Sequence, residues 1–197
     1  MRLYNSRISG NCYKVRLLLH QLGIPFETVE LDVVDRSNRR EVLGGKNPAL
    51  RVPVLELDDG TTLAESNAIL WYLADGTPYL PADKLERARV LQWLFFEQYD
   101  HEPNVAVARF WLTKRIDVEP AQLEARQASG YRALDAMERH LAGRAFLVGE
   151  RYSIADIALF AYTHVAGEGG FDLGRYPAIG AWLEQVAAQP GHAPIDA

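Results

Sequence analysis

Apolar residues in the first part of the chain follow strand and helix spacings in turn. Residues 2–5 have the pattern of a short strand, and a helix is predicted next because apolar residues recur at positions i, i+3, i+4 and i+7. These apolar residues are Val15, Leu18, Leu19 and Leu22. Gly23 is predicted to end the helix, and a second strand is predicted over 27–33. The predicted order is strand, helix, strand.

The following segment predicts a hairpin between two further helices. A polar stretch over 37–43 is predicted to be helical. Strands are predicted from Val54 and over 61–63, and a helix follows over 65–74. Right-handed crossovers and this hairpin leave few arrangements other than a small mixed sheet with helices packed on it. We therefore predict a thioredoxin-like domain, with a mixed four-stranded sheet, over residues 1–76.

The pattern changes after this domain, where helix spacings replace alternation. The predicted helices cover 84–114, 120–142, 154–166 and 177–188. Pro103 is predicted to kink or split the first of them, and the one strand pattern in this part covers 146–148. We therefore predict a linker over 77–85 and an all-α domain over 86–197, which makes the whole chain an α+β protein.

Composition narrows the classes of function. The chain has 197 residues, of which 48% are apolar, enough for one large or two small domains. Its formal net charge is −5 without an extended basic tract, so nucleic-acid binding is poorly supported. The single cysteine, Cys12, excludes an internal disulfide, a C-x-x-C redox pair and a cysteine-rich zinc site. No apolar run approaches the roughly 18 residues of a spanning helix, and the N-terminus does not resemble a secretion signal, so we expect a cytoplasmic protein.

Two short motifs carry handles for a small peptide. Pro53 stands at the start of a predicted strand, and a cis bond after Val52 would turn the amide and carbonyl of Val52 outward, where an extended peptide can pair with them. Ser66 opens a predicted helix, whose N–H groups favour a carboxylate, and Glu65 can hold an ammonium group beside it. Each motif alone is common, since a Glu-Ser pair at a helix start is usually a cap. Together they predict a peptide clamp.

The segment between the first strand and the first helix offers groups that can stabilise a thiolate. Ser9 can donate a hydrogen bond through its hydroxyl, and Asn11 can donate through its amide. Cys12 is either a redox or mixed-disulfide thiol or a buried, inert helix residue. A free thiol has a pKa of about 8.5, and lowering it by two units needs about 2.7 kcal/mol. One charge-assisted hydrogen bond of about 1.5–3 kcal/mol, with about 0.3–1 kcal/mol from a helix dipole, is of this size.

These motifs give the chain a family resemblance over nearly its whole length. It resembles the cytosolic glutathione S-transferases of the serine type, and is similar to the theta and zeta classes and their bacterial relatives. The matching residues are Ser9, Cys12-Tyr13-Lys14-Val15-Arg16, Asn47-Pro48, Arg51-Val52-Pro53, Glu65-Ser66 and Ser153-Ile154-Ala155-Asp156. The last run matches the family's helix-capping box, which concerns folding. The resemblance implies a detoxifying transferase that conjugates glutathione to a small hydrophobic electrophile, in a homodimer and without a metal.

The resemblance also implies roles for single residues. The implied glutathione-binding residues are Ser9, Asn38, Arg39, Arg51, Val52, Pro53, Glu65 and Ser66. Among them, the Ser9 hydroxyl stabilises the thiolate, the main chain of Val52 pairs with the cysteinyl unit, and Glu65 with Ser66 binds the γ-glutamyl end. The residues implied near the glycine carboxylate are Arg51, with Asn38 or Arg39.

The long predicted helix over 84–114 is rich in aromatic residues. Aromatic residues at helical spacing are typical of a core, but this helix lines the substrate cleft between the two domains in the family that the chain resembles. The implied second-substrate contacts are His101, Glu102, Arg109 and Phe110. His101 is alternatively a proton carrier or an ordinary solvated surface histidine.

Two further functions stay open beside the transferase. The Cys12 thiol and the thioredoxin-like half are compatible with glutathione-dependent reduction of disulfides or peroxides. A protein that keeps this fold and has lost its chemistry would act as a binding protein or scaffold. The intact set of Ser9, Val52-Pro53 and Glu65-Ser66 argues against that third function.

Overall fold

The alternating segments of the first part of the chain form one sheet. The computed structural model of the protein describes residues 1–196. Its strands are β1 (Arg2–Asn5), β2 (Glu27–Glu30), β3 (Val54–Glu56) and β4 (Thr62–Ala64). The strand order is β2-β1-β3-β4, with β1 parallel to β2 and antiparallel to β3, and with β3 antiparallel to β4. The predicted mixed four-stranded sheet is therefore confirmed.

Three helices accompany this sheet. They are α1 (Gly10–Gln21), α2 (Arg39–Leu43) and α3 (Ser66–Ala74). Helix α1 packs along α3, and its apolar residues Val15, Leu18 and Leu19 are fully buried. Gly23 follows the end of α1 with a φ of 65°, a conformation that glycine adopts without strain. Three of the four spaced residues are thus buried, but so is every other residue from Cys12 to Leu19, and Leu22 is half-buried at the C-cap.

Strand β2 is shorter than the predicted 27–33. It ends at Glu30, because the side chain of Asp32 accepts hydrogen bonds from the backbone N–H groups of Val34 (2.6 Å) and Asp35 (3.2 Å). Such a local bond from an aspartate turns the chain and competes with extension of a strand.

The second part of the chain is helical, as predicted. Its helices are α4 (Lys84–Phe96), α5 (Glu102–Thr113), α6 (Pro120–Leu141), α7 (Ile154–Thr163) and α8 (Pro177–Ala187). Short 3₁₀ turns occupy Ala166–Gly169 and Leu173–Arg175. The strand expected over 146–148 does not form, and only Val148 makes an isolated bridge, to Arg151. Within residues 1–196, no helix has both the length and the apolar character needed to cross a membrane.

The long helix predicted over 84–114 is divided where Pro103 was expected to disturb it. A π-helical turn over Glu97–His101 separates α4 from α5, and Pro103 lies in the first turn of α5. A proline has no N–H to donate to the fourth residue before it, so the regular helical bonding pattern cannot continue through this point. The π turn accommodates that loss without a loop.

The chain divides into two compact units whose limits differ from the predicted domains. Met1–Gly76 and the segment that starts at Pro190 form the first unit, and Thr77–Gln189 forms the second. The predicted linker over 77–85 is part of the second unit, where Ile154 donates its N–H to the carbonyl of Tyr79 (3.0 Å). The predicted helical domain over 86–197 therefore begins too late and ends too late. Its last residue, Ala197, lies outside the described residues.

The C-terminal segment is held on α1 by hydrogen bonds to its carbonyl groups. The Tyr13 hydroxyl donates to the carbonyl of Ala193 (2.7 Å), and the Arg16 guanidinium donates to the carbonyl of Ile195 (2.5 Å). Arg7 donates to the carbonyl of Asp196. Because these bonds use backbone acceptors, which every residue carries, no side-chain pattern in the C-terminal segment reveals them.

A buried carboxylate organises the second unit. The predicted capping box is present at the start of α7, where the Asp156 carboxylate accepts from the N–H (2.9 Å) and the hydroxyl (3.1 Å) of Ser153. The same carboxylate accepts from the N–H of Leu147 (2.9 Å) and the indole N–H of Trp182 (2.9 Å). Burial raises the pKa of Asp156 to about 6, and the four donors oppose that rise. Asp156 thereby joins α7 to α8 and to the preceding loop.

We predict that Asp156→Asn lowers the free energy of unfolding by about 2–3 kcal/mol, because the new amide NH₂ must face either the donors of Ser153 or those of Leu147 and Trp182. Urea unfolding followed by circular dichroism measures the change. Asp117→Asn, at an exposed position, is the matched control and should stay within about 0.5 kcal/mol of the wild type. Equal stability of the two variants would contradict the organising role of the Asp156 carboxylate.

Candidate functional site

Ser9 caps the N-terminus of α1. Its backbone is extended, with φ −80° and ψ 119°, and its hydroxyl oxygen accepts a hydrogen bond from the N–H of Cys12 (3.3 Å). A hydroxyl that accepts still has one proton to donate. Ser9 is half-buried, so that proton can reach an acceptor placed at the helix N-terminus. Capping the helix and donating to a ligand are therefore compatible roles.

A hydrogen-bond network around the buried residues Asn5 and Arg16 fixes the loop that leads to Ser9. The Arg16 guanidinium donates to the side-chain oxygen of Asn5 (2.7 Å) and the carbonyl of Arg7 (3.1 Å). The Glu30 carboxylate accepts from the Asn5 amide (2.7 Å) and the N–H of Arg7 (2.6 Å). Desolvation lowers the pKa of Arg16. These bonds set the position from which α1 begins.

Cys12 is the third residue of α1 and is completely buried. Its sulfur accepts a hydrogen bond from the N–H of Ser6 (3.3 Å). Burial raises the pKa of the Cys12 thiol to about 11, although the contacts with Ser9 and Ser6 lower it. A thiol that is buried and protonated at neutral pH is a poor nucleophile. The geometry favours the interpretation of Cys12 as a structural helix residue.

The segment before β3 contains the proline turn at Val52 and Pro53. The Val52–Pro53 bond is cis, and Pro53 is buried next to the start of β3. Across residues 1–196, no hydrogen bond uses the N–H or carbonyl of Val52. The Asn47 amide donates to the carbonyl of Arg51 (2.9 Å), which fixes the approach to this turn, while the Arg51 side chain is exposed.

The N-terminus of α3 lies close to that of α1. Glu65 precedes α3 with φ 68° and ψ 114°, an unfavourable conformation for a residue with a side chain, and its side chain does not cap the helix. Ser66 is only 4% exposed. Its hydroxyl donates to the side-chain oxygen of Asn11 (3.2 Å) and accepts from the Lys14 ammonium (3.4 Å). The structure thus brings together two of the predicted residues, Asn11 and Ser66.

The two predicted residues at α2, Asn38 and Arg39, differ in whether their side chains are exposed. Asn38 is exposed, and its side chain does not cap α2. Arg39 is 4% exposed, and its guanidinium donates to the carbonyls of Leu50 (3.2 Å) and Asp32 (2.6 Å). Desolvation lowers the pKa of Arg39. Arg39 therefore joins the segments on either side of α2, which differs from the expected contact with a carboxylate ligand.

The four residues implied at the second substrate differ in their burial and in the hydrogen-bond partners that the structure describes. His101 is completely buried in the π turn, where it donates from Nε2 to the Thr163 hydroxyl (3.0 Å), which itself donates to the carbonyl of Leu159 (2.7 Å). The expectation of a solvated surface histidine is therefore wrong. Arg109 pairs with Glu168 (2.7 Å) instead. The other two residues, Glu102 and Phe110, are half-buried.

The aromatic residues around the π turn divide into two groups. Trp93 is buried and packs on the ring of His140, with ring centroids 4.7 Å apart. Phe95 is 70% exposed and Tyr99 is 83% exposed. The prediction that aromatic residues of this helix belong to the core is therefore correct for Trp93 and wrong for Phe95 and Tyr99. In the part of the chain that the structure describes, no group of three or more His, Cys, Asp or Glu side chains is arranged to hold a metal ion.

Sequence reasoning missed the roles of Lys14 and Arg16. Both belong to the run that matches the family and both are buried; Lys14 donates to the first residues of α3, and Arg16 donates to the loop before α1. Two basic residues inside an otherwise apolar helical stretch are a signal that could have found them, because buried charges need partners.

Comparison with known proteins identifies the family. Residues 3–79 match the family model "Glutathione S-transferase, N-terminal domain", and residues 103–190 match "Glutathione S-transferase, C-terminal domain". A crystal structure of a glutathione S-transferase from Pseudomonas fluorescens is 51% identical, with a TM-score of 0.95 over 98% of both chains. A sphingomonad glutathione S-transferase complexed with glutathione is 31% identical, with a TM-score of 0.84 over 97% of this chain and 94% of that one.

Curated relatives have several activities in their names. The maleylacetoacetate isomerase of Rhizobium meliloti (strain 1021) is 33% identical over 90% of this chain and 86% of its own length. The disulfide-bond oxidoreductase YfcG of Escherichia coli (strain K12) is 28% identical over 91% of this chain and 87% of its own length. Since both family models match in order and relatives above 30% identity span almost the whole chain, this protein belongs to the glutathione S-transferase family.

Proposed function

We propose that the protein is a glutathione transferase that binds glutathione, stabilises its thiolate and conjugates it to a small hydrophobic electrophile. The observation that carries the proposal is the hydrogen bond between Asn11 and Ser66, which joins the N-termini of α1 and α3. Two helix N-termini side by side suit a ligand that presents a carboxylate to one helix and a developing thiolate to the other. The sphingomonad relative, solved with glutathione, supports the choice of ligand.

The γ-glutamyl end is proposed to bind at the start of α3. The backbone N–H groups of Ser66 and Asn67 would donate to its carboxylate, because the Ser66 hydroxyl already donates to Asn11. The exposed Glu65 would hold the neighbouring ammonium group. The strained backbone of Glu65 supports this role, since such strain is concentrated at functional sites.

The middle of glutathione is proposed to pair with Val52. The N–H and carbonyl of Val52 are not used by the fold, so the cysteinyl unit can form both bonds of a short extended pairing. Pro53 holds this turn from inside the protein. Arg51 and Asn38, both exposed, are the proposed contacts of the glycine carboxylate. Arg39 would contribute indirectly, by holding the loop that carries Arg51.

The thiol is proposed to ionise beside Ser9. The thiol proton of glutathione would pass to solvent, and the Ser9 hydroxyl would donate a hydrogen bond to the resulting thiolate. The sulfur then forms a bond to the electrophilic carbon, and the leaving group departs with its electron pair. One charge-assisted hydrogen bond of about 1.5–3 kcal/mol accounts for a pKa decrease of about one to two units. Catalysis would rest on positioning and nucleophile activation.

The second substrate and the assembly belong to the same proposal. Glu102 and Phe110 are half-buried on α5 and are proposed contacts of the electrophile, while His101 and Arg109 hold neighbouring elements through Thr163 and Glu168. We also propose a cytoplasmic homodimer with a detoxifying role. The exposed Phe95 and Tyr99 support the dimer, because large apolar side chains on a surface often mark an interface. Sedimentation velocity measures the mass in solution, which distinguishes a dimer from a monomer.

Disulfide reduction is the second candidate function. The relative named disulfide-bond oxidoreductase YfcG favours it, since that protein aligns with 91% of this chain. In this candidate the bound glutathione thiolate attacks one sulfur of a disulfide and the other sulfur leaves as a thiolate, which forms a mixed disulfide. A second glutathione then reduces the mixed disulfide. The burial and raised pKa of Cys12 favour glutathione, rather than Cys12, as the reacting thiol.

We predict that Ser9→Ala raises the pKa of the bound glutathione thiol by about one to two units and lowers turnover with an aryl halide about tenfold or more. Spectrophotometric titration of the thiolate and steady-state kinetics measure the two effects. Ser9→Thr, which keeps the hydroxyl, should retain most activity. Ser9→Ala also removes a helix cap worth about 1 kcal/mol, so thermal unfolding is recorded for each variant. Normal thiol pKa and turnover in Ser9→Ala would rule out this role of Ser9.

We predict that Glu65→Gln raises the Kd for glutathione about tenfold or more and leaves kcat at saturating glutathione nearly unchanged. The reason is that the proposed contact with the ammonium group is the same in the ground and transition states. Calorimetry and kinetics provide the measurements. Glu41→Gln, at an exposed position of α2, is the matched control. Equal Kd values for the two variants would contradict the role of Glu65.

Binding by the wild type without turnover of any electrophile or disulfide would indicate a binding protein.

We predict that Cys12→Ser keeps conjugation and hydroxyethyl-disulfide reduction within about twofold of the wild type. With a thiol pKa of about 11, thiolate is present at neutral pH in about one molecule in ten thousand. An alkylating reagent should therefore leave Cys12 unmodified in the folded protein and modify it after denaturation. Cys12→Ala controls for the new hydroxyl in a buried site. Loss of disulfide reduction in both folded variants would assign the reaction to Cys12.

A further inference from the structure

Lys14 is a completely buried cation in the first unit, and the proposed chemistry does not use it. It lies on α1 two residues after Cys12, with 0% of its surface exposed. Its ammonium group donates to the hydroxyl oxygen of Ser66 (3.4 Å) and to the side-chain oxygen of Asn67 (3.4 Å). Lysine is almost never fully buried, because its desolvation is costly. A buried ammonium directed at the first two residues of α3 therefore needs an explanation.

The chemistry of the donors gives the hydrogen bonds a single direction. An ammonium group can only donate, so the Ser66 oxygen must accept from Lys14. The Ser66 hydroxyl then has one proton, which it donates to Oδ1 of Asn11 (3.2 Å). A carbonyl oxygen that faces Ser66 leaves the NH₂ group of Asn11 on the opposite side of the amide. The cation thus stands at the head of a chain of hydrogen bonds that leads through Ser66 to the Asn11 amide.

We propose that Lys14 is a positioning residue for thiolate binding: through the Ser66 hydroxyl it orients and polarises the Asn11 amide, so that the Asn11 NH₂ acts with Ser9 as a second donor to the sulfur. This proposal rests on the proposed function, because it concerns the same bound thiolate. Hydrogen bonds in a chain strengthen one another, by roughly 10–30% per bond, and a buried cation at one end adds to this effect. The fixed orientation of the amide is the second contribution.

The chain of bonds also links the two ends of the glutathione site. Ser66 begins the helix that is proposed to bind the γ-glutamyl carboxylate, and Asn11 stands in the first turn of the helix that is proposed to face the sulfur. A buried positive charge beneath Ser66 favours an anion at the start of α3. Occupation of the γ-glutamyl position and activation of the thiol would then depend on one network.

The experiment titrates the thiol of bound glutathione in the wild type, Lys14→Met and Ser66→Ala. Lys14→Met keeps an unbranched side chain of similar length and removes the charge. We expect the thiol pKa to rise by about 0.5–1 unit in each variant, which is a loss of thiolate of about three- to tenfold at pH values below the pKa. Ser66→Thr retains a hydroxyl and should restore the wild-type pKa. Thermal unfolding confirms that each variant is folded.

Lys46→Met is the matched control, because Lys46 belongs to the same unit and pairs with Glu56 (2.8 Å), away from this network. It should leave the thiol pKa unchanged. Asn11→Ala tests the route. If Lys14 acts through Asn11, Lys14→Met causes no further rise in the Asn11→Ala background. The same rise in both backgrounds would show that Lys14 acts on the sulfur without Asn11, and it would overturn the proposal.

The outcomes separate this proposal from the one on which it rests. A wild type that does not bind glutathione, or does not lower its thiol pKa, contradicts the proposed function itself. A wild type that lowers the pKa, with Lys14→Met and Ser66→Ala unchanged, contradicts only the role of Lys14. If Lys14→Met does not fold, the comparison of Ser66→Ala with Ser66→Thr tests the bond to Asn11 through which Lys14 is proposed to act, since only the second variant keeps it, and equal thiol pKa values in the two variants would overturn the proposal.

Discussion

Helix α1 is buried from Cys12 to Leu19, so each polar group that it carries needs a partner within the protein. This requirement accounts for much of the first unit. Ser9 satisfies the N–H of Cys12, Lys14 donates to the start of α3, and Arg16 holds the loop before the helix together with the C-terminal segment. The bonds that compensate for the burial of these polar groups also fix the positions of the residues that are proposed to bind glutathione.

The second unit satisfies the same requirement with different consequences. All ten residues of α7 are buried, and the polar groups around it are paired with one another: Asp156 with four donors, and His101 with Thr163. These pairs join helices and do not lie at exposed helix N-termini. A polar side chain in a helical core is therefore weak evidence for a ligand contact. This applies to His101 and Arg109, which were implied at the second substrate and are bonded to Thr163 and Glu168.

Local signals in the sequence predicted much of the fold and part of the site. The helix spacing of Val15 to Leu22, the capping pattern of Ser153 and Asp156, and the position of Pro103 each depend on residues close in sequence, and the structure agrees with them. The failures have a common cause. The end of the helical domain and the burial of His101 depend on partners far away in the chain, and the strand over 146–148 would have needed such a partner, whereas Val148 bridges to the nearby Arg151; spacing reveals none of this.

The candidate site also combines features that the sequence predicted with features that only the structure revealed. From the sequence alone came the family resemblance, the proline turn at Val52 and the Glu65-Ser66 pair at a helix start, because each is a short run with its own backbone preference. Only the tertiary structure decided that Cys12 is buried, that Arg39 is engaged with carbonyl groups, and that Lys14 stands beneath Ser66. Those properties depend on desolvation and on hydrogen-bond partners outside the residue's own element, and these arise only when the chain has folded.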